Sequence, residues 1–298
     1  MAYQTGTSTG PADLLSKLIT FALANGWTST AVTGGSVINI GSVRTAIRAT
    51  ATAIELRGCL SANGGANWDA QPNQSTITSQ CNTGAGPVPA YHFYADAESG
   101  VDRLHAVIEV AAGVYRHIVI CGLIKMGAFT GGTYVCGTKH DTSEHQTNQP
   151  DSGNHHYIGE TSCNFDGSHV WCDADGRVNS WSQIYNAGDF TVTRAIGSVR
   201  GAGINYDNWY TGYARWNMRT ILQPIWLFQN RPSSLRSIIG RLPNIRIVNM
   251  ALYPVGFQEN IGGENWDMWP ATARHVGDTI GTTVPSSGAY GYALRRIV

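Results

Sequence analysis

The residues with the densest potential for chemistry lie between positions 136 and 156: Cys136, His140, Asp141, Glu144, His145, Asp151, His155 and His156. Thiolate, imidazole and carboxylate groups gathered this closely are the donors that hold zinc or another divalent ion. His140 and His145 stand five apart, so they would not share one face of a helix as two metal ligands four apart do, and no H-E-x-x-H occurs. The Thr, Ser, Asn, Gln and Pro residues between them make this stretch read as a polar, solvated loop with incidental histidines. His140, His145, His155 and His156 are kept as weak metal candidates, and no cofactor is expected. His105 and His117 fall on neighbouring strands of one hairpin. That places them as a pH-sensing pair or, on the preferred reading, as partly buried histidines hydrogen-bonded inside the sheet or an interface. Asp166, Asp173 and Asp175 suggest a calcium loop, but the twelve-residue pattern and its closing Glu are missing. No G-x-S-x-G, phosphate-binding G-x-x-x-x-G-K-[ST] or G-x-G-x-x-G motif is present. Carboxylates distant in sequence can also meet in space as the pair that glycoside hydrolysis uses.

Those residues must be positioned by the elements around them. Pro11 suits a first helical turn, with Thr9 or Gly10 available to cap it and Asp13 at the positive dipole end. Leu14, Leu15, Leu18, Ile19 and Ala22 then share one face, and Asn25-Gly26 ends the run before Trp27. This amphipathic helix is expected to pack on a sheet. Alternating patterns predict strands over 52–57 and 103–110, where Leu104, Ala106, Ile108 and Val110 line one face. A turn at Ala112-Gly113 leads to a returning strand over 115–124. Further strands are expected at 133–136, 190–196 and 245–253. The stretches 61–90, 138–168 and 200–212 are rich in Gly, Asn, Ser, Thr and Pro and read as long loops. The expected fold is mainly β, with antiparallel sheets in a β-sandwich or barrel-like arrangement, an N-terminal amphipathic helix packed on the sheet, and long loops and arms. The expected division is an N-terminal arm over 1–10, a β core over 11–257, and a loop-rich C-terminal arm over 258–298.

Composition narrows the function classes. The chain has 298 residues, with 20 Lys+Arg balanced by 20 Asp+Glu, and only 13% charged residues. A typical soluble domain has about 25%. Zero net charge offers no electrostatic excess for nucleic acid or for an anionic membrane surface. No apolar run approaches the ~20 residues of a membrane-spanning helix, and the first ten residues show no secretory signal. Basic residues are mostly Arg, with Lys at positions 17, 125 and 139 alone. Arg suits interfaces because its planar fork is weakly hydrated. Sparse charge and abundant aromatics together point to a surface covered by partner subunits, with Tyr3, Trp266 and Trp269 as candidate interface residues. The six cysteines, Cys59, Cys81, Cys121, Cys136, Cys163 and Cys172, contain no C-x-x-C pair and are expected as free thiols.

Several stretches resemble structural proteins of tailed-bacteriophage virions. One is Met1-Ala-Tyr-Gln-Thr-Gly-Thr7, followed by Pro11-Ala-Asp-Leu-Leu-Ser-Lys-Leu18 and Asn25-Gly26-Trp27. A second comprises His92-Phe-Tyr94, Tyr115-Arg-His-Ile118, Gly122, Lys125-Met-Gly127 and Thr130-Gly-Gly-Thr-Tyr134. The third comprises Ile239-Gly-Arg-Leu-Pro-Asn-Ile-Arg246, Gly262-Gly-Glu-Asn-Trp-Asp-Met-Trp-Pro270 and Gly291-Tyr-Ala-Leu-Arg-Arg296. Together they span nearly the whole chain, although the 138–170 region and the cysteines have no counterpart in the resemblance. It implies a non-enzymatic virion subunit of the tail, baseplate or neck, assembled in the bacterial cytoplasm from copies of itself and other virion proteins. A receptor-binding module that recognises host-surface glycan through Trp and Tyr clusters is the alternative, and a virion-associated polysaccharide hydrolase is a third reading.

Overall fold

The computed structural model describes residues 2–98, 101–138, 169–172, 180–183, 193–196, 222–230, 236–250, 253–270 and 290–296. The described residues are mainly β, forming three antiparallel sheets and one short helix. No described helix is long and apolar enough to cross a membrane.

The central sheet contains β1 (Ala2–Ser8), β7 (Val88–Glu98), β8 (Val101–Ala111), β9 (Val114–Gly122), β11 (Gly131–Gly137), β12 (His169–Cys172) and β13 (Ser180–Gln183), in the order β1-β7-β8-β9-β11-β12-β13. A five-stranded sheet runs in sequence order through β2 (Thr28–Val32), β3 (Gly35–Ile40), β4 (Val43–Ala49), β5 (Ala53–Gly58) and β6 (Ser79–Asn82). The third sheet has the order β14 (Thr193–Ile196), β15 (Gln223–Asn230), β16 (Arg236–Asn249), β19 (Tyr290–Arg296), β18 (Glu264–Pro270) and β17 (Phe257–Ile261). The short β10 (Ile124–Lys125) also pairs with β16.

Helix α1 covers Pro11–Ala24. Its start differs in detail from the expected cap. Gly10 makes no side-chain cap, and the Asp13 carboxylate instead accepts the Thr9 N–H at 2.9 Å while pairing with Lys17 one turn on, at 2.7 Å. The Asn25 and Gly26 N–H groups take up the last carbonyls, and Gly26 has a φ of 84°, which suits a residue without Cβ.

The central sheet is buried on both faces. Phe93, Leu104, Ala106, Ile108, Ile118, Ile120 and Val135 form one core with Leu14, Leu18 and Phe21 of α1 and with Ile38, Ile47, Ile54 and Leu56 of the five-stranded sheet. The alternate residues Tyr94, Val107, Tyr115, Val119, Cys121, Tyr134 and Cys136 form a second core with Ile225, Leu227, Ile239, Leu242, Ile245, Trp269 and Leu294 of the third sheet. Period-two alternation along a strand produces this division, since successive side chains point to opposite faces.

Two expected arms are strands. Residues 2–8 pair with β7 along the edge of the central sheet, Tyr3 lying opposite Tyr94. The 258–298 segment provides β18 and β19, and β19 is flanked on both sides by β16 and β18. The expected 61–90 loop shortens to a turn region before β6. Its polar groups are internally satisfied: Gln71, 4% exposed, accepts the Asn63 N–H and donates to the Asn67 carbonyl, both at 2.7 Å. The expected loop at 200–212 lies outside the described residues, as does all but the first residue of the 138–168 loop.

Leu18 is fully buried on the helix, whereas Leu23 is 48% exposed. Leu18→Ala is expected to lower unfolding stability by about 2–5 kcal/mol, and Leu23→Ala by less than about 0.5. Urea denaturation of both variants checks this, and equal losses would contradict the placement of the helix.

Candidate functional site

A chain of polar side chains runs through the otherwise apolar seam between the central and third sheets. Arg103 on β8 is its pivot, with no solvent exposure. Its Nε lies 2.7 Å from Asp96 Oδ2 on β7, although the N–H is not aimed at the oxygen, so the contact is mainly Coulombic. Its two terminal nitrogens cross the seam. Nη1 donates to the Asn244 carbonyl of β16 at 2.7 Å and Nη2 to the Arg295 carbonyl of β19 at 2.9 Å. Asn244 has a φ of 51°, a left-handed conformation that Asn tolerates better than most residues. From there its amide donates to Asp96 Oδ2 at 3.0 Å. One guanidinium thus ties two strands of the third sheet to two of the central sheet.

A second group lies beside it. Tyr94 donates to Asp267 Oδ2 at 2.8 Å and accepts from Trp269 Nε1 at 2.8 Å. Arg296 donates to the same Asp267 oxygen through Nε and Nη2, at 2.9 and 2.7 Å. The Arg296 guanidinium also covers the Tyr3 ring, 3.8 Å from its centroid, and Tyr3 bonds His92 Nδ1 at 2.7 Å. Burial, followed by the Arg296 charge, pulls the His92 pKa down to about 4, so the ring is neutral near pH 7.

The third group is the histidine pair. His117 Nε2 is 2.8 Å from the Pro270 carbonyl, an acceptor alone, so Nε2 carries the proton. His117 Nδ1 then accepts from His105 Nε2 at 3.0 Å. This leaves His105 Nδ1 as a buried lone pair without a hydrogen-bond partner. Both rings are fully buried. Burial pulls the His117 pKa down to about 4, with the Arg116 charge also lowering it and the Pro270 bond opposing. The His105 pKa falls well below the usual imidazole range through burial, then through His117 and Arg103. The hairpin placement and in-sheet bonding expected from the sequence therefore hold for this pair. The sequence reading did not foresee its bond across the seam to Pro270.

His169 anchors the far side of the central sheet. Its Nε2 accepts the Gly58 N–H at 2.9 Å, which leaves Nδ1 to donate to Ser79 Oγ at 3.3 Å. These bonds join β12 to the five-stranded sheet.

The expected site residues fall out differently. His140, His145, His155 and His156 lie outside the described residues. Cys136 is 3% exposed among apolar side chains in the second core. Among the described residues no three His, Cys, Asp or Glu side chains converge on a metal position. Trp266 and Trp269, expected at subunit contacts, are 2% and 5% exposed inside this chain, because β18 is an inner strand whose indoles fill its own two faces. Tyr3 is half-buried against Arg296 and Tyr94. Cys59, Cys81, Cys121 and Cys136 are free buried thiols, with burial raising Cys59 to about 11 and Cys81 to about 12. No protein-family model matches the chain, and no curated protein matches it.

Removing one member of a buried ion pair strands the other. Arg103→Met is expected to cost about 3–5 kcal/mol, and adding Asp96→Leu should recover much of that loss. Chemical denaturation of both variants measures the coupling, and additive losses would show that the pair does not act as a unit.

The histidines set a pH dependence. An unfolded imidazole titrates near 6.5, so between there and about 4 the unfolded chain binds protons that folded His117 and His92 refuse. Stability is therefore full above about pH 6.5 and falls as pH drops, by up to about 1.4 kcal/mol per pH unit for each fully buried histidine. Urea midpoints measured from about pH 7.5 to about 4.5 should decline, and His117→Gln should flatten the profile. A flat profile in the parent protein would contradict buried neutral imidazoles.

Proposed function

We propose that this protein is a non-enzymatic structural subunit of a tailed-bacteriophage virion, built into the tail, baseplate or neck with copies of itself and other virion proteins. The observation that carries this reading is how the chemically capable side chains are used. Arg103, Asp96, His105, His117, Asp267 and His169 are each 1% exposed or less, and all but His105, which bonds His117, bond the chain's own sheets to one another. Groups fixed in this way stiffen a building block. They also take charge away from the surface. Asp96, Arg103, Arg116 and Asp267 are interior, from a total of only 40 charged side chains (20 + 20). A surface this weakly charged is suited to close contact with neighbouring subunits, where burial of apolar and aromatic area drives association.

The resemblance of the 1–27, 92–134 and 239–296 stretches to virion proteins supports the same reading. We take the stacking of the five-stranded and third sheets on either side of the central one as an extended β-sandwich, with α1 filling one layer beside β1 and β4. Met126 and Ile238, 52% and 46% exposed, lie near one another where β10 meets β16, and such apolar side chains suit a subunit boundary.

Sedimentation velocity over a wide concentration range is expected to show self-association, with Met126→Ser or Ile238→Ser weakening it. A strictly monomeric species at millimolar concentration, together with absence of the protein from image reconstructions of the intact particle, would overturn the proposal.

A further inference from the structure

Among the described residues, three arginines against two glutamates leave an excess of positive charge on the outer face of the third sheet. The left-handed Asn244 resets the alternation of β16. Leu242 and Ile245, three apart, both enter the core shared with the central sheet, so Arg241 and Arg246, five apart, share the opposite face. Arg241 lies across the ladder from Trp226, its guanidinium 5.9 Å from the ring centroid. Arg246 stands 5.3 Å from the ring of Trp266. Arg295 lies directly opposite Trp266 across the β18–β19 ladder. Asp267 points inward to Tyr94, so its neighbour Trp266 faces outward and Arg295 shares that face.

The three guanidinium groups are within electrostatic reach of one another. Burial, then Arg241, then Arg295 and Arg103, pull the Arg246 pKa down to about 10, while Glu264 opposes them. The bonds available to the cluster are few. Arg246 Nη1 donates to the Ile245 carbonyl at 2.9 Å. Arg295 reaches Glu264 Oε1 at 3.3 Å and Asn244 Oδ1 at 3.4 Å. Arg103, beneath them, is already paired with Asp96. Among the described residues two carboxylates share this face with the three cations: Glu259, opposite Trp266 on β17, and Glu264, which reaches Arg295 and whose side chain is 41% exposed and displaceable.

We propose that Arg241, Arg246 and Arg295 form a binding site for an oxyanion, the phosphate or carboxylate group of a ligand carrying more than one such charge. Guanidinium forks donate to the oxygens of these groups in a bidentate manner, and the half-buried setting of Arg246 strengthens each bond relative to open water. The flanking indoles of Trp226 and Trp266 hold the guanidinium planes in place, so less freedom is lost on binding. Glu264 occupies Arg295 when the site is empty and competes with the incoming anion. This site does not depend on the virion reading, since it rests on the outer face of one sheet alone.

Calorimetric titration of the full-length protein at constant ionic strength, with inorganic phosphate, pyrophosphate and citrate as probes, tests this. Saturable binding is expected, tighter for the multivalent probes. Preference for pyrophosphate would assign a phosphate-bearing ligand, and preference for citrate a carboxylate-bearing one. Arg246→Gln should weaken binding about tenfold or more, and Glu264→Gln should strengthen it. If circular dichroism shows that Arg246→Gln does not fold, Arg241→Gln provides the same test from another member of the cluster. Absence of saturable binding, or unchanged affinity in the folded arginine variants, would overturn the proposal.

Discussion

A guanidinium withdrawn from water must be surrounded by acceptors, and the fold depends on how that requirement is met at Arg103. Isolated burial of such a charge costs several kcal/mol even after relaxation. One carboxylate from the neighbouring strand cannot satisfy five N–H donors. The remaining acceptors come from backbone carbonyls on β16 and β19, and the Asn244 carbonyl is supplied at a left-handed break in β16. The third sheet can therefore slide or rotate against the central sheet only by stranding this charge. Hydrophobic burial is nondirectional and would tolerate several dockings of two flat apolar faces. The polar seam selects one.

The same seam explains why the protein uses so few charges elsewhere. Asp267 accepts from Tyr94 and Arg296, and Tyr94 in turn accepts from Trp269. Arg296 covers Tyr3, which extends the chain of contacts to β1 at the sheet edge. The first strand of the chain and its last strand are thereby joined through side chains as well as through sheets. A rigid body closed in this way keeps its outer faces for other tasks. The outer face of the third sheet, with Arg241, Arg246 and Arg295, differs from the seam because the ion pair of its cations with Glu264 is long, at 3.3 Å, and partly exposed.

Much of the core was legible as pattern. The 103–110 alternation and the Ala112-Gly113 turn correspond to β8 and its hairpin with β9, and the helical spacing from Leu14 to Ala22 corresponds to α1. His105 and His117 were legible as histidines bonded within the hairpin, but alternation normally marks one solvated side of a sheet. In the structure a second sheet covers that side. Trp266 and Trp269 read as interface residues for a related reason. Aromatic content reports that area is buried, without saying whether the same chain or another one buries it. β2 and β3 were missed, since Thr, Ser, Asn and Gly dilute their apolar residues, and β4 and β7 were missed with them.

Sequence alone determined the local periodicities: which runs extend, where α1 begins and ends, and which side chains alternate. It also determined that charge would be scarce. Tertiary structure decided what each face meets, because facing sheets come from segments more than a hundred residues apart, as with Tyr94 and Asp267 or Arg103 and Asn244. A residue's periodicity is set by bonds to its neighbours in the chain. Its partner is set by the docking of whole sheets, where the desolvation of a few buried polar groups outweighs any local preference.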